Sequence, residues 1–254
     1  MAHQPTTAQT TADTPPALSR RWLLLPLVPA ILALTAWVLR YVVKTEAQTL
    51  SESEAVAAAL ICVALLMTNR DPVADNTTPR HTPNTNRLWL WALVAAFAMS
   101  IVGDLCLHYH TTNIGYLFGI AFFLLAHIGY LVYALKRVAF RWPILAVIVV
   151  ALFALYFVFY MPSPALRDSP AMGIAVLAYL LISCFSLAAT VDLGSRSPAR
   201  WVFTAAIACI ILSDACLAFV DFAGFPQFEW PIMPLYYVAH TLIALSVTLE
   251  FSRR

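Results

Sequence analysis

Long apolar runs, separated by short polar connections, repeat along most of the chain. A helix needs about 20 mostly apolar residues to cross a hydrocarbon core of about 30 Å, and most of the runs approach that length. The pattern predicts an all-α polytopic membrane helix bundle of about eight transmembrane helices. The predicted spans lie near 22–43, 54–68, 88–107, 114–135, 142–161, 171–192, 201–220 and 231–250, and the second is the shortest.

The N-terminal segment differs from the rest of the chain. Residues 1–19 are rich in Thr, Pro and Ala and lack apolar periodicity, so we expect a disordered cytoplasmic tail. Arg20 and Arg21 directly precede an apolar run, an order that also occurs in twin-arginine export signals. Because Trp22–Val43 is long enough to span and shows no convincing cleavage site, we interpret it as the first transmembrane helix. Residues 20–254 then form a single transmembrane domain.

The composition agrees with a lipid environment. The 254 residues are 61% hydrophobic and 11% charged, whereas a soluble domain has about 25% charged residues. The mean hydropathy is +0.79. The five cysteines form no CxxC motif and lie within apolar segments, which argues against a disulfide framework or a zinc ribbon. A net charge of +2 with scattered arginines argues against a nucleic-acid surface.

The basic residues predict the orientation in the membrane. With eight spans, one side receives twelve Lys and Arg residues and the other side receives three. Cytoplasmic loops carry an excess of these residues, so both termini are predicted to be cytoplasmic. In a bacterium, the protein would lie in the inner membrane. The twelve are Arg20, Arg21, Arg70, Arg80, Arg87, Lys136, Arg137, Arg141, Arg196, Arg200, Arg253 and Arg254; the three are Arg40, Lys44 and Arg167.

Two aspartates lie inside predicted spans, Asp104 in the third and Asp214 in the seventh. An ionisable side chain in hydrocarbon costs about 2.5–3.5 kcal/mol on insertion scales and marks a functional site by default. The fourth span also carries His127, and the eighth carries His240. Structural alternatives remain open, because an aspartate can simply bond to a neighbouring helix and His127 can be a hydrogen-bonded core residue.

The polar positions recur in pairs. Gly103–Leu107 resembles Ser213–Leu217, and Leu125–His127 resembles Val238–His240 one helix later. The two copies stand four predicted helices apart, which is consistent with a parallel internal repeat. Chance similarity between Leu/Ala-rich helices is the alternative.

Helical spacing places several polar side chains on shared faces. On the fourth helix, His127 and Tyr130 share a face with Gly115 and Gly119, a pair of small residues that lets another helix approach closely. We predict that His127 and Tyr130 face the interior of the bundle. On the eighth helix, Tyr236, Tyr237 and His240 share a face.

Asp104 and His108 are one helical turn apart, a spacing that suits a metal ion. No third ligand is evident, so we predict no metal and no cofactor. His108, His110 and Asp221 lie at span ends near water, and we expect no special role for them.

Several of these residues together resemble the motifs of one family. The chain is similar to the YhhN/lysoplasmalogenase family of eight-helix membrane proteins. The resemblance implies hydrolysis of the vinyl ether bond of lysoplasmalogens to a fatty aldehyde and glycerophosphocholine or glycerophosphoethanolamine. It also implies a lysophospholipid substrate and membrane lipid as the partners. The residues that carry it are Gly103-Asp104, Phe118-Gly119, Phe123–His127, Tyr130, Ser213-Asp214, Leu217-Ala218, Tyr236–Ala239 and Leu242-Ile243.

A pair of buried carboxyl groups suits this chemistry. The reaction begins with proton transfer to an alkene carbon and continues through an oxocarbenium ion that water attacks. Two nearby carboxylates resist ionising together, so one can stay protonated while the other is charged. We therefore expect Asp104 and Asp214 to be the catalytic pair, without assigning the acid. The predicted substrate-binding or water-orienting residues are His127, Tyr130, Tyr237 and His240.

Two other function classes fit the same sequence features. Buried acids and a parallel repeat also occur in proton-coupled or small-molecule transporters. A structural or regulatory membrane protein that binds lipid without turnover is the third reading. Aldehyde release in detergent, where no membrane separates two compartments, distinguishes the enzyme from a transporter.

Overall fold

A computed structural model describes residues 24–39, 49–68, 85–109, 111–135, 142–194 and 198–252. The predicted tail at residues 1–19, the pair Arg20-Arg21 and most of the basic residues used to predict the orientation lie outside these ranges. The nine α-helices of the described ranges are α1 Leu27–Val38, α2 Thr49–Thr68, α3 Thr85–His108, α4 Asn113–Leu135, α5 Trp142–Leu155, α6 Pro164–Asp168, α7 Pro170–Gly194, α8 Pro198–Asp221 and α9 Glu229–Ser252.

The regular structure in these ranges is helical, which confirms the predicted all-α bundle. A short π-helix, Tyr156–Tyr160, continues α5, and a 3-10 turn, Pro226–Phe228, precedes α9. Six helices of the described chain are long and apolar enough to cross a membrane. They are Trp89–His108, Asn113–Leu135, Trp142–Tyr160, Pro170–Val191, Arg200–Asp221 and Pro226–Glu250.

Of the first predicted span the structure describes residues 24–39, and it describes all of the second. Helix α1 has 12 residues, and the apolar part of α2 is Val56–Leu66. Six spans therefore support a multi-pass membrane protein, and the total of eight stays a prediction.

Six helices form a closed ring, in the order α2, α3, α4, α7, α8 and α9, in which each helix packs against the next and α9 returns to α2. Helix α1 lies outside the ring against α2 and α9, and α5 lies outside against α7. Val147 and Val150 of α5 are each 70% exposed. Exposed apolar side chains on an outer helix suit contact with lipid.

Glycines bring α3 and α4 close together. A Cβ added at Gly119 would lie 2.5 Å from Cδ2 of Leu107, and a Cβ added at Gly129 would lie 2.8 Å from the carbonyl oxygen of Ala92. The structure therefore has the close helix contact predicted at Gly119. The contact at Gly129 is the stricter one, because the opposing atom belongs to the backbone.

The two ends of the ring differ in composition. At the acidic end, defined by Asp104, Asp214, Asp221 and Glu229, α3 and α8 finish and α4, α7 and α9 begin. The opposite half contains the tightest apolar packing: Leu93, Phe97, Phe203, Ile207, Ile243 and Val247 are 0–1% exposed. In the predicted orientation, the acidic end is the non-cytoplasmic one.

Candidate functional site

A cavity of about 310 Å³ lies inside the ring at the acidic end. Asp104 of α3 and Asp214 of α8 both line it, together with Tyr236 of α9. His108, Asp221 and Glu229, which sit at the ends of their helices, also contribute to the wall. The fold thus brings the two aspartates that are far apart in sequence to one cavity.

The local packing of α3 explains how Asp104 comes to face this cavity. The preceding residue, Gly103, faces α4, where an added Cβ would lie 3.1 Å from the ring of Phe123. Phe123 therefore occupies the space that a side chain at Gly103 would need. On α8, Ser213 takes the corresponding position before Asp214, and its hydroxyl donates a 2.7 Å hydrogen bond to the carbonyl oxygen of Ile232.

A tyrosine holds Asp104. The hydroxyl of Tyr236 donates to Oδ2 of Asp104 at 2.8 Å. Tyr236 is 4% exposed, and its ring contacts Phe123 and His240 at centroid distances of 6.3 and 4.4 Å. A buried tyrosine hydroxyl needs a polar partner, and here that partner is a carboxyl group on another helix, α3.

Asp214 has two polar neighbours. The hydroxyl of Tyr179 on α7 donates to Oδ2 of Asp214. Nε2 of His127 lies 3.8 Å from the same oxygen, and the His127 side chain is 1% exposed. Within the described residues, neither ring nitrogen of His127 has a hydrogen-bond partner. The distance suits an ion pair when the imidazole is charged.

Below the cavity, His240 links two tyrosines. Nδ1 of His240 lies 2.9 Å from the backbone carbonyl of Tyr236, and Nε2 lies 3.5 Å from the hydroxyl of Tyr130. A carbonyl oxygen only accepts, so Nδ1 donates and, in a neutral ring, Nε2 accepts from Tyr130. Ser100 is 3.4 Å from the same hydroxyl. His240 therefore supports the chain segment that carries Tyr236.

The four predicted binding residues occupy different places. His127, Tyr130 and His240 are each 1% exposed and lie beneath the cavity, behind the residues that form its wall. Tyr237 faces another direction and lines an apolar groove of about 270 Å³ between α1 and α9. The binding role expected of these four side chains stays a prediction, and the positions of His127, Tyr130 and His240 suit support of the aspartates better than direct contact with a substrate.

Comparison with known proteins identifies the chain. A sequence model of the YhhN family matches residues 57–247, which covers most of the chain and contains both aspartates. The chain belongs to the YhhN family. No curated protein and no solved structure matches it. The resemblance seen in the motifs of α3, α4, α8 and α9 is thereby confirmed.

In this YhhN-family chain, the sequence did not predict that Tyr179 and Tyr236 hold the two aspartates. Tyr179 lies in an apolar run of α7 without a motif around it, and Tyr236 was predicted to share a face with Tyr237 and His240 but not to contact an aspartate. The available signal was general: a tyrosine near the middle of a span needs a partner for its hydroxyl. Which partner it finds depends on the packing of the helices.

The expectation for the span ends also changes. His108 and Asp221 were expected to have no special role, yet both line the cavity. The hydroxyl of Tyr116 on α4 donates to Oδ2 of Asp221 at 2.6 Å. Because the ends of α3, α8 and α9 converge on the cavity, residues near water at these ends belong to its entrance.

The metal alternative rested on Asp104 and His108, which do share the cavity wall. In the part of the chain that the structure describes, no three His, Cys, Asp or Glu side chains are grouped closely enough to hold a metal ion. The two aspartates of the cavity accept hydrogen bonds from tyrosines, and carboxyl groups of this kind can accept and donate protons.

Proposed function

We propose that this membrane protein hydrolyses the vinyl ether bond of lysoplasmalogens. The products are a fatty aldehyde and glycerophosphocholine or glycerophosphoethanolamine. The observation that carries the proposal is that Asp104 and Asp214, from different helices, line one cavity within an apolar bundle. Membership in the YhhN family supports a membrane hydrolase of this kind.

The chemistry of the bond explains why two carboxyl groups are useful. An alkene carbon accepts a proton only from a well-placed acid, and the proton transfer leaves positive charge on the adjacent carbon and oxygen. A neutral carboxyl group can supply the proton, and a second, ionised one can stabilise the cation and direct water to it. One aspartate in each state meets both requirements.

The surroundings of the aspartates support this division. Among the described residues that line the cavity, none is Lys or Arg, so this wall holds no permanent cation. Tyr236 and Tyr179 instead hold Asp104 and Asp214 in place through their hydroxyl groups. Groups fixed before the reaction stabilise charge without reorganising as it develops.

The predicted accessory residues act in this scheme through the aspartates. His127 approaches Asp214 directly, and Tyr130 and His240 brace the segment that carries Tyr236. Tyr237 lines a separate groove, and the proposed reaction does not depend on its predicted binding role.

The test is aldehyde release by the purified protein in detergent. Three lipids with the same headgroup are compared: a lysoplasmalogen, its saturated ether analogue and the corresponding acyl ester. The proposal predicts aldehyde from the vinyl ether alone and no cleavage of the other two. Cleavage of the ester instead would identify a lysophospholipase, and no cleavage of any of the three would overturn the hydrolase proposal.

A further inference from the structure

A second, apolar pocket adjoins the cavity. It lies between α3, α4, α7 and α8, and its apolar wall includes Ile120, Val176 and Ala218. Its oxygen-bearing side chains are Tyr116, Tyr179 and Asp214, and both tyrosine hydroxyls donate to aspartates. The remaining surface is hydrocarbon and the volume is about 60 Å³, so the pocket suits the first few carbons of an aliphatic chain and offers little to a headgroup.

The pocket and the cavity lie next to each other and share part of their walls. Both are lined by Leu107, Phe123, Leu217 and Asp214. The two aspartates differ in this respect, because Asp214 lines both spaces whereas Asp104 lines only the polar cavity. Asp214 therefore marks the boundary between an apolar and a polar compartment.

We propose that the apolar pocket binds the hydrocarbon chain next to the vinyl ether bond, which makes Asp214 the proton donor and Asp104 the residue that directs water. This inference rests on the proposed vinyl ether hydrolase function. In a vinyl ether, the carbon that accepts the proton is on the chain side of the bond, and the carbon that water attacks carries the ether oxygen. A chain in the apolar pocket places the first carbon at Asp214 and the second toward the polar cavity.

The contacts of Asp214 are compatible with a donor role. Tyr179 and His127 both approach Oδ2, so the proton of a neutral Asp214 belongs on Oδ1. Ala218 lies one helical turn after Asp214 on α8, so it shares the same face and would contact the chain a few carbons beyond the bond.

The proton transfers balance over one turnover. The Asp214 carboxyl gives its proton to the chain-side alkene carbon, whose π electrons form the new C–H bond and leave an oxocarbenium ion. Water attacks the oxygen-bearing carbon and forms a hemiacetal, and the proton that this water loses goes to the Asp104 carboxylate. The hemiacetal hydroxyl then returns a proton to Asp214 as the C–O bond breaks, and Asp104 protonates the leaving oxygen. Both residues return to their starting states.

The first experiment fills the pocket. Ala218→Phe is compared with Val238→Phe, which adds the same ring in the groove between α1 and α9. Two substrates are used, a hexadecenyl ether and an ethenyl ether that lacks the chain. We expect Ala218→Phe to lower kcat/KM for the hexadecenyl ether about tenfold and to leave the ethenyl ether within about twofold. Val238→Phe is expected to leave both rates unchanged.

Equal loss for both substrates, or a loss confined to Val238→Phe, would overturn the pocket assignment. A saturated ether lysolipid with a photoreactive group on the first chain carbons gives a readout that needs no turnover. The expected adducts lie on Val176 or Ala218. Adducts on the groove between α1 and α9 would overturn the assignment, even if the purified protein released no aldehyde.

The second experiment identifies the proton donor. The reaction is run in D₂O, and the aldehyde is trapped by reduction so that its new C–D bond is kept. The wild-type protein and Asp104→Asn are expected to add deuterium to one face of the alkene, because Asp214 still delivers it. In the residual product of Asp214→Asn, deuterium is expected to have added to either face of the alkene, so that both configurations of the C–D carbon are present. The reverse pattern would make Asp104 the donor and overturn the role assignment.

Discussion

The two halves of the helix ring are built from the same helices but contain different chemistry. In the acidic half, α3 contributes Asp104 and α9 contributes Tyr236 to an open cavity. In the opposite half, the same helices contribute Phe97 and Ile243, which are fully buried in close packing. The candidate site therefore lies at one end of the ring, and the close packing of the other half suits a rigid base beneath it.

Carboxyl groups in the two halves also have different partners. Glu250 in the opposite half lies 3.5 Å from the Arg200 guanidinium and accepts a hydrogen bond from Tyr133 at 3.1 Å. The cavity aspartates face tyrosines and His127 instead. A carboxylate beside a permanent cation holds helices together, whereas one held by neutral donors can respond to positive charge that forms during a reaction.

Exchanging a carboxyl group for an amide tests this difference most strongly. We expect Asp104→Asn and Asp214→Asn each to lower kcat for vinyl ether hydrolysis about a thousandfold, because each removes an acid–base group while keeping the shape. Glu250→Gln is the matched control in the opposite half and should retain near wild-type activity. If all three variants lost activity equally, the carboxyl groups would not differ in function as proposed.

Removing a large side chain from the packed half should affect stability more than chemistry. Phe97→Ala is expected to lower the free energy of unfolding by about 3–5 kcal/mol through the cavity it leaves. Val150→Ala on the exposed face of α5 should change it by less than about 0.5 kcal/mol. Thermal unfolding in detergent gives the comparison. A small effect of Phe97→Ala would mean that this half is not the rigid base.

The tyrosine hydroxyls offer a finer test. Tyr179→Phe and Tyr236→Phe each remove a hydrogen bond to an aspartate, a bond typically worth about 1.5–3 kcal/mol when one partner is charged. We expect kcat/KM to fall about 10- to 100-fold in each case. Tyr133→Phe removes the bond to Glu250 in the opposite half and should leave kcat/KM unchanged. Equal losses for all three would indicate a general structural effect.

Chelation should have the smallest effect. A reaction that depends on carboxyl groups alone is expected to keep its rate after treatment with EDTA and removal of the chelator–metal complex. Loss of activity, followed by recovery on addition of one divalent metal, would place a metal near Asp104 and His108 and contradict the metal-free scheme.

The sequence by itself determined the class of fold and the most unusual residues. Runs of apolar residues near the length of a bilayer predict spanning helices, because each backbone polar group must be satisfied within its own helix. An aspartate in such a run stands out, since the cost of burying it is set by solvation and needs no knowledge of the neighbours. Asp104 and Asp214 can therefore be recognised from their sequence surroundings alone.

Tertiary packing decided which residues surround the aspartates. Tyr179 resembles any aromatic residue in an apolar helix, and its bond to Asp214 exists only because α7 packs against α8. Tyr237 and Tyr236 are adjacent in sequence, yet one lines an outer groove and the other holds Asp104. Helical periodicity gives the angle between two side chains on a helix, but the rotation of the helix within the bundle depends on contacts with all its neighbours. That rotation placed one carboxyl group at the edge of an apolar pocket and left the other in the polar cavity.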